Sequence, residues 1–164
     1  MQLSENFTLE ELTRTSKDSL QAINIEQATD DLSVLQNLAD VAKKLLQPIR
    51  DFYGVPVTVT SGYRCKALNI AVGGSTTSQH SYGEAADIQI DGHSVDEIFA
   101  DIRSGKVVDL SNVGQVIIEK VGGAKWIHIS LMTPRYSAIQ KARYGTDDVV
   151  FLVTKDGKNY ERVV

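Results

Sequence analysis

Apolar residues recur at steps of three and four through Leu32, Leu35, Leu38, Ala42, Leu45, Ile49 and Tyr53. That spacing gives one buried face and predicts a helix over 29–53, kinked in its last turns by Pro48 and ended by Gly54. A shorter helix is expected from Thr8. Thr8 and Glu11 have capping-box spacing, and Phe7 and Leu12 are placed to staple it. After Gly54 the period changes to two. Val55, Val57 and Val59 alternate with Pro56, Thr58 and Thr60, a strand that Pro56 assigns to a sheet edge. AADIQI, residues 85–90, reads as a short strand. Ser94 and Glu97 then set a second capping box, opening a helix to about Ile102. QVIIE and WIHIS are β-branched runs joined by KVGGAK, which predicts an antiparallel hairpin. Residues 149–163 read as a second hairpin around Asp156-Gly157. Helices first and strands afterwards predict an α+β fold, N-terminal helices packed on a small, mainly antiparallel sheet. No repeat or linker divides the chain, so residues 1–164 are expected to form one domain.

Composition refines this only by exclusion. The 164 residues are 42% apolar and 23% charged, ordinary for a globular chain. A net charge of -4 argues against a nucleic-acid partner. No apolar run approaches the roughly 20 residues that span a bilayer, so stable membrane insertion is not expected. The single cysteine, Cys65, has no internal partner and reads as a structural thiol. The opening MQLSENFTLEEL carries neither a basic nor an apolar leader region, which predicts cytoplasmic synthesis without a signal peptide. A monomer is expected.

The candidate chemistry begins with an acid in an apolar strand. Asp87 sits among Ala85, Ala86, Ile88 and Ile90, and a buried carboxylate needs a cation, a metal or several hydrogen bonds. His80 lies seven residues upstream, after a loop rich in Gly, Ser and Thr. In WIHIS, alternation places Trp126, His128 and Ser130 on one strand face and Ile127 and Ile129 on the other. Two imidazoles and a carboxylate would hold zinc and leave a fourth position open. Taken singly, each of these residues reads first as a satisfied structural group, and only as a set do the structural and metal-binding readings balance.

The wording around them points further. Ser78, His80, Gly83, Ala85 and Asp87 match SxHxxGxAxD at every fixed position. This resembles the zinc D-Ala-D-Ala peptidases, peptidase family M15, a family of carboxypeptidases, vancomycin-resistance dipeptidases and phage endolysins. SGYRCKALN resembles the family's upstream block, VGG precedes SQH, and WIHIS resembles its WxHxS block. NFTLEELTRT and LLQPIRDFYG resemble the small phage-associated members. The likeness covers about residues 5–132, and residues 133–164 form an extension of unknown role. It implies zinc held by His80, Asp87 and His128, with Arg64 in the substrate-binding position. Ser78 either binds substrate or shapes its loop, and Trp126 is read as a wall of the substrate cleft. Tyr63 and Tyr82 are candidate cleft residues, while His93 reads as a surface turn residue.

Many members of the family carry an acid three positions before the last histidine, where this chain has Lys125. The hairpin offers a replacement. A turn centred on Gly122-Gly123 sets Glu119 opposite Trp126 and Ile117 opposite His128. Glu119 then shares the face of His128, diagonal to it at roughly 7–8 Å. The metal site of hedgehog signalling domains is similar in this respect. Glu119 is therefore the expected general base, its alternative being a solvated strand end; Glu84 is a lesser candidate. The expectation is a zinc metallopeptidase hydrolysing peptidoglycan stem peptides at D-Ala-D-Ala or a nearby D-amino-acid bond. It would reach the wall by phage or holin-type release. The alternative is a non-catalytic zinc module that binds cell wall or belongs to a phage particle.

Overall fold

The computed structural model describes residues 1–164. Helix α1 (Leu9–Leu12) begins as expected: Thr8 Oγ1 accepts from the Glu11 backbone N–H, and Glu11 accepts from the Thr8 backbone N–H in return. Phe7 and Leu12 are both buried. Helix α2 (Asp18–Asp30) lies where no element was expected. Its apolar residues do not gather on one face, since Ala28 is buried and Ile23 exposed. Periodicity therefore carried no signal there.

The expected helix over 29–53 is broken at Asp31. The Asp31 carboxylate accepts from the backbone N–H groups of Ser33 and Val34 and so starts a new helix, α3 (Leu32–Asp40). Leu32 stands at its exposed start and Val34 is buried instead. From α3 the chain runs through a π-helical segment, Val41–Leu46, into α4 (Gln47–Tyr53). The strain of Pro48, which has no N–H to donate and would crowd the carbonyl four residues back, is met by widened turns just upstream. There the Gln47 N–H reaches Ala42 O. Gly54 stops α4 in the left-handed conformation, φ 68°.

Strand β1 (Val57–Ser61) follows Pro56 and forms one sheet edge. Helix α5 (Lys66–Ala71) and a 3-10 turn, Gln79–Tyr82, lead into β2 (Ala85–Ile90). Helix α6 (Val95–Arg103) is capped by Ser94, whose hydroxyl accepts from Glu97 N–H. The return half of the expected box is absent because the Glu97 carboxylate pairs with His93. The hairpin β3 (Val113–Val121) and β4 (Ala124–Leu131) has the expected register, Glu119 opposite Trp126 and Ile117 opposite His128. Helix α7 (Pro134–Tyr144), not foreseen, leads to β5 (Val150–Thr154) and β6 (Glu161–Arg162).

The result is α+β, with a six-stranded sheet in the order β1-β2-β4-β3-β5-β6. It is antiparallel except for β3 and β5, which run parallel. One sheet face carries Ala86, Ile88, Val116, Ile118, Ile127, Ile129 and Phe151 into a core shared with Leu38, Leu45, Ile49, Ile98 and Ile102 of the helices. The opposite face carries Asp87, Gln115, Glu119, Trp126, His128 and Ser130. No helix is long and apolar enough to cross a membrane.

Candidate metal centre

Asp87 and His128 are directly opposed across β2 and β4, so two short-reach donors meet over the sheet. His80 approaches from the 3-10 turn before β2. Gly83 closes that turn at φ 68°, with the position of a Cβ only 2.8 Å from the Val34 carbonyl oxygen. A side chain there would be strained by conformation and by contact with α3. His80 Nε2 lies 3.2 Å from Asp87 Oδ1, His128 Nδ1 lies 3.0 Å from the same oxygen, and the two ring nitrogens are 3.2 Å apart. All three residues are buried.

These groups fit a divalent cation. Tetrahedral zinc with bonds of 2.0–2.1 Å sets neighbouring donors roughly 3.3 Å apart, close to the observed triangle. His80 donates its Nδ1–H to the Gly62 carbonyl at 2.7 Å, which leaves the Nε2 lone pair facing Asp87. Burial drives the His80 imidazole below its usual pKa, with Asp87 opposing, so the ring favours the neutral form. For Asp87, burial pushes upward, and it is imidazoles protonated toward it that outweigh this, by charge and hydrogen bond, and hold the carboxyl well below its ordinary range; a cation held in the same place acts in the same sense. Neutral imidazole and ionised carboxylate are the states in which these groups bind metal.

The segment bearing Arg64 is fixed from both sides. Gly62 packs so closely on α1 that a Cβ would stand 2.2 Å from the Leu12 carbonyl oxygen, and Tyr63 N–H donates to that oxygen at 2.7 Å. Asn24, fully buried on α2, donates to Tyr63 O and accepts from Cys65 N–H, clamping the backbone on either side of Arg64. Arg64 N–H donates to His80 O at 3.1 Å. The guanidinium reaches Asn69 Oδ1 at 3.4 Å, and its buried Nε has no partner within the chain. Burial lowers its pKa, against the opposing electrostatic pull of Asp87 and Glu119.

Glu119 is half-buried on the face of His128. Burial raises its carboxyl pKa; His128 and Arg64 pull it down and Asp87 adds to the rise. It is not a freely solvated strand end. Trp126, opposite Glu119, is half-buried with its indole N–H unpartnered. Ser78 is half-buried at the start of the 3-10 turn, where its hydroxyl caps nothing. Lys125 is exposed and an odd number of residues from His128, so it falls on the other strand face.

Glu84 is removed as a candidate base. It is buried, ion-paired to Arg135, and accepts from Thr133 Oγ1 at 2.8 Å. Arg135 also stacks over Tyr82, its guanidinium carbon 3.7 Å from the ring centroid. Tyr82 is thus an exposed platform for Arg135, and Tyr63 is a core residue. His93 sits near the surface against Glu97, as expected of a turn residue. Cys65 is a buried free thiol.

Sequence reasoning missed Asn24, Gln79, Ser130 and Arg135 as supports. His128 donates its Nε2–H to Gln79 Oε1 at 2.9 Å, and Gln79 Nε2–H donates to Ser130 Oγ at 2.7 Å. Alternation did place Ser130 beside His128, which was the available signal for it. The others come from elements that were not foreseen or from a motif position that any residue can fill.

Comparison with known proteins gives two findings. Residues 5–130 match the family model described as Peptidase M15. Over 84 residues the chain is 37% identical to the zinc D-Ala-D-Ala carboxypeptidase of Streptomyces albus G, an alignment covering 51% of this chain and 31% of that protein. The chain therefore aligns with less than a third of this relative's length.

Proposed function

The chain belongs to the peptidase M15 family, and from that premise we propose that it is a zinc-dependent peptidase of peptidoglycan stem peptides. The bond cut is D-Ala-D-Ala or a neighbouring D-amino-acid bond. The observation that carries this reading is the buried triangle of His80 Nε2, Asp87 Oδ1 and His128 Nδ1, whose ligand atoms lie within 4.8 Å of one another. These three residues hold the metal. Bound zinc supplies Lewis acidity toward a peptide carbonyl and brings the pKa of water to about 7.

The remaining chemistry belongs to the chain's own side chains. Glu119 takes the proton of the attacking water and returns it to the leaving amine, the acid–base role that Lys125 cannot fill. The raised pKa of Glu119 suits a carboxyl that must release a proton as well as accept one. Arg64, with an unpartnered Nε, binds the peptide's carboxylate or carbonyl and stabilises charge developing there. Trp126 offers its ring and indole N–H to substrate, and Ser78 offers its hydroxyl. We read the whole chain as one such domain, monomeric, made in the cytoplasm and reaching the wall by phage or holin-type release.

Incubating purified sacculi with the protein, with and without a chelator, and identifying fragments by mass spectrometry tests this. New amine and carboxyl ends that require both metal and Glu119 are expected. Bound zinc with no products across several wall chemistries would instead establish a non-catalytic wall-binding module. A protein that binds no zinc would sink both readings.

A further inference from the structure

The hydrogen bonds behind His128 assign a role to a residue outside any ligand set. We propose that Gln79 is a positioning residue that holds His128 in the tautomer whose Nδ1 is free for metal. This rests on the reading that His80, Asp87 and His128 bind zinc.

The argument starts from reach. Asp87 and His128 are directly opposed strand residues, so a cation shared with Asp87 Oδ1 lies close to the sheet. His128 must meet it with its near ring nitrogen, Nδ1, which stands 3.0 Å from that oxygen. His80 reaches in from a separate loop and uses its far nitrogen, Nε2. The two imidazoles therefore need opposite tautomers. For His80 the Gly62 carbonyl decides the matter, since it can only accept.

For His128 the partner is an amide, which can present either end. Gln79 presents Oε1 to His128 Nε2 at 2.9 Å, and its Nε2–H donates to Ser130 Oγ at 2.7 Å. Ser130 Oγ is itself fixed, because it accepts the Gln115 backbone N–H at 3.0 Å. That N–H lies where β3 shifts register against β4 between Val113 and Val116. Gly114 keeps the shift tight, for a Cβ there would stand 3.2 Å from Ser130 Oγ and 2.6 Å from Leu131 O. Gln79 and Ser130 are both buried, so no water competes readily for these bonds. An inverted amide would press N–H against His128 Nε2 and move the ring proton to Nδ1. That proton would point at Asp87 and His80 and close the metal position.

The test is zinc affinity, measured by competition with a chromogenic chelator, alongside the visible spectrum of the cobalt-loaded protein. Gln79→Met keeps the side chain's size and removes the acceptor; Gln79→Glu keeps an acceptor. Loss of such an outer partner lowers metal affinity about 10–100-fold. Gln79→Met is expected to show that loss and an altered cobalt spectrum, while Gln79→Glu stays within about threefold of the parent, by the same principle. Ser130→Ala, which frees the amide, is expected to lose affinity by a smaller factor. It serves as the deciding variant if Gln79→Met does not fold. Unchanged affinity in Gln79→Met, or in Ser130→Ala where that variant decides, overturns the proposal. An equal loss in Gln79→Met and Gln79→Glu overturns it as well. A parent protein that binds no zinc refutes the metal reading itself, a separate outcome.

Discussion

Neighbouring residues of β4 meet opposite surroundings. Ile127 and Ile129 point into the helical layer and are fully buried among aliphatic side chains. His128 and Ser130, one step away, point to the other face, where Ile117 still flanks His128 but hydrogen bonds to Asp87, Gln79 and Gln115 fix the polar groups. Both faces are dry at this strand, yet they are held differently. The apolar face tolerates any side chain of suitable volume, because dispersion and burial have no direction. The polar face tolerates only partners that complete one another, since an unpaired buried charge costs far more than a missing methyl.

That contrast can be broken from the polar side first. Replacing His128 with Ala, or removing metal with a chelator, is expected to bring hydrolysis of stem peptides to background, roughly 10⁴-fold or more. Zinc should restore the chelated protein and not the variant. Glu119→Gln is expected to lower kcat about 10³-fold at unchanged zinc content, separating proton transfer from metal binding. Equal losses of zinc and activity in that variant would make Glu119 a structural residue.

Smaller effects sharpen the comparison through stability. Arg135→Met leaves the Glu84 carboxylate buried without its cation and should cost about 3 kcal/mol in urea unfolding. A loss below about 1 kcal/mol would place this pair among surface ion pairs of little worth. On the apolar face, Ile129→Val should cost about 1 kcal/mol and leave zinc content unchanged. A change in metal affinity there would mean that the two faces are mechanically coupled through β4.

The two faces also differ in how well they could be read beforehand. Strand alternation and the hairpin turn placed Glu119, Trp126 and His128 correctly, because a period of two fixes the face once the turn is known. The motif containing His80 and Asp87 pointed to two of the three buried side chains that meet in the candidate triangle. The supports were hidden for physical reasons. Asn24 lies on a helix whose apolar residues show no common face, and its value comes from three bonds to distant backbone. Gln79 fills a position that the motif leaves open. Arg135 lies in an unforeseen helix, and its partner Glu84 was read as a possible base when the ion pair instead occupies it. The long helix was misread at its start, where Asp31 begins a new helix by capping, whereas its stop at Gly54 was legible, and the irregularity tied to Pro48 takes the form of widened turns upstream.

The bond from Arg135 to Glu84 has a consequence for anyone who would cut this chain to size. Family likeness ends at residue 130, an inviting place for a fusion junction or a stop codon. A junction there would discard Thr133 and Arg135, the two side chains that neutralise and hydrogen-bond Glu84. Glu84 stands between His80 and Asp87 in the chain, so the damage would surface far from the junction, as a slack loop at the candidate metal centre. It would also strip β5 from β3, exposing Ile117 beside Glu119. The transplantable unit is set by that carboxylate's needs and extends past Gly145, whatever the borders of sequence similarity suggest.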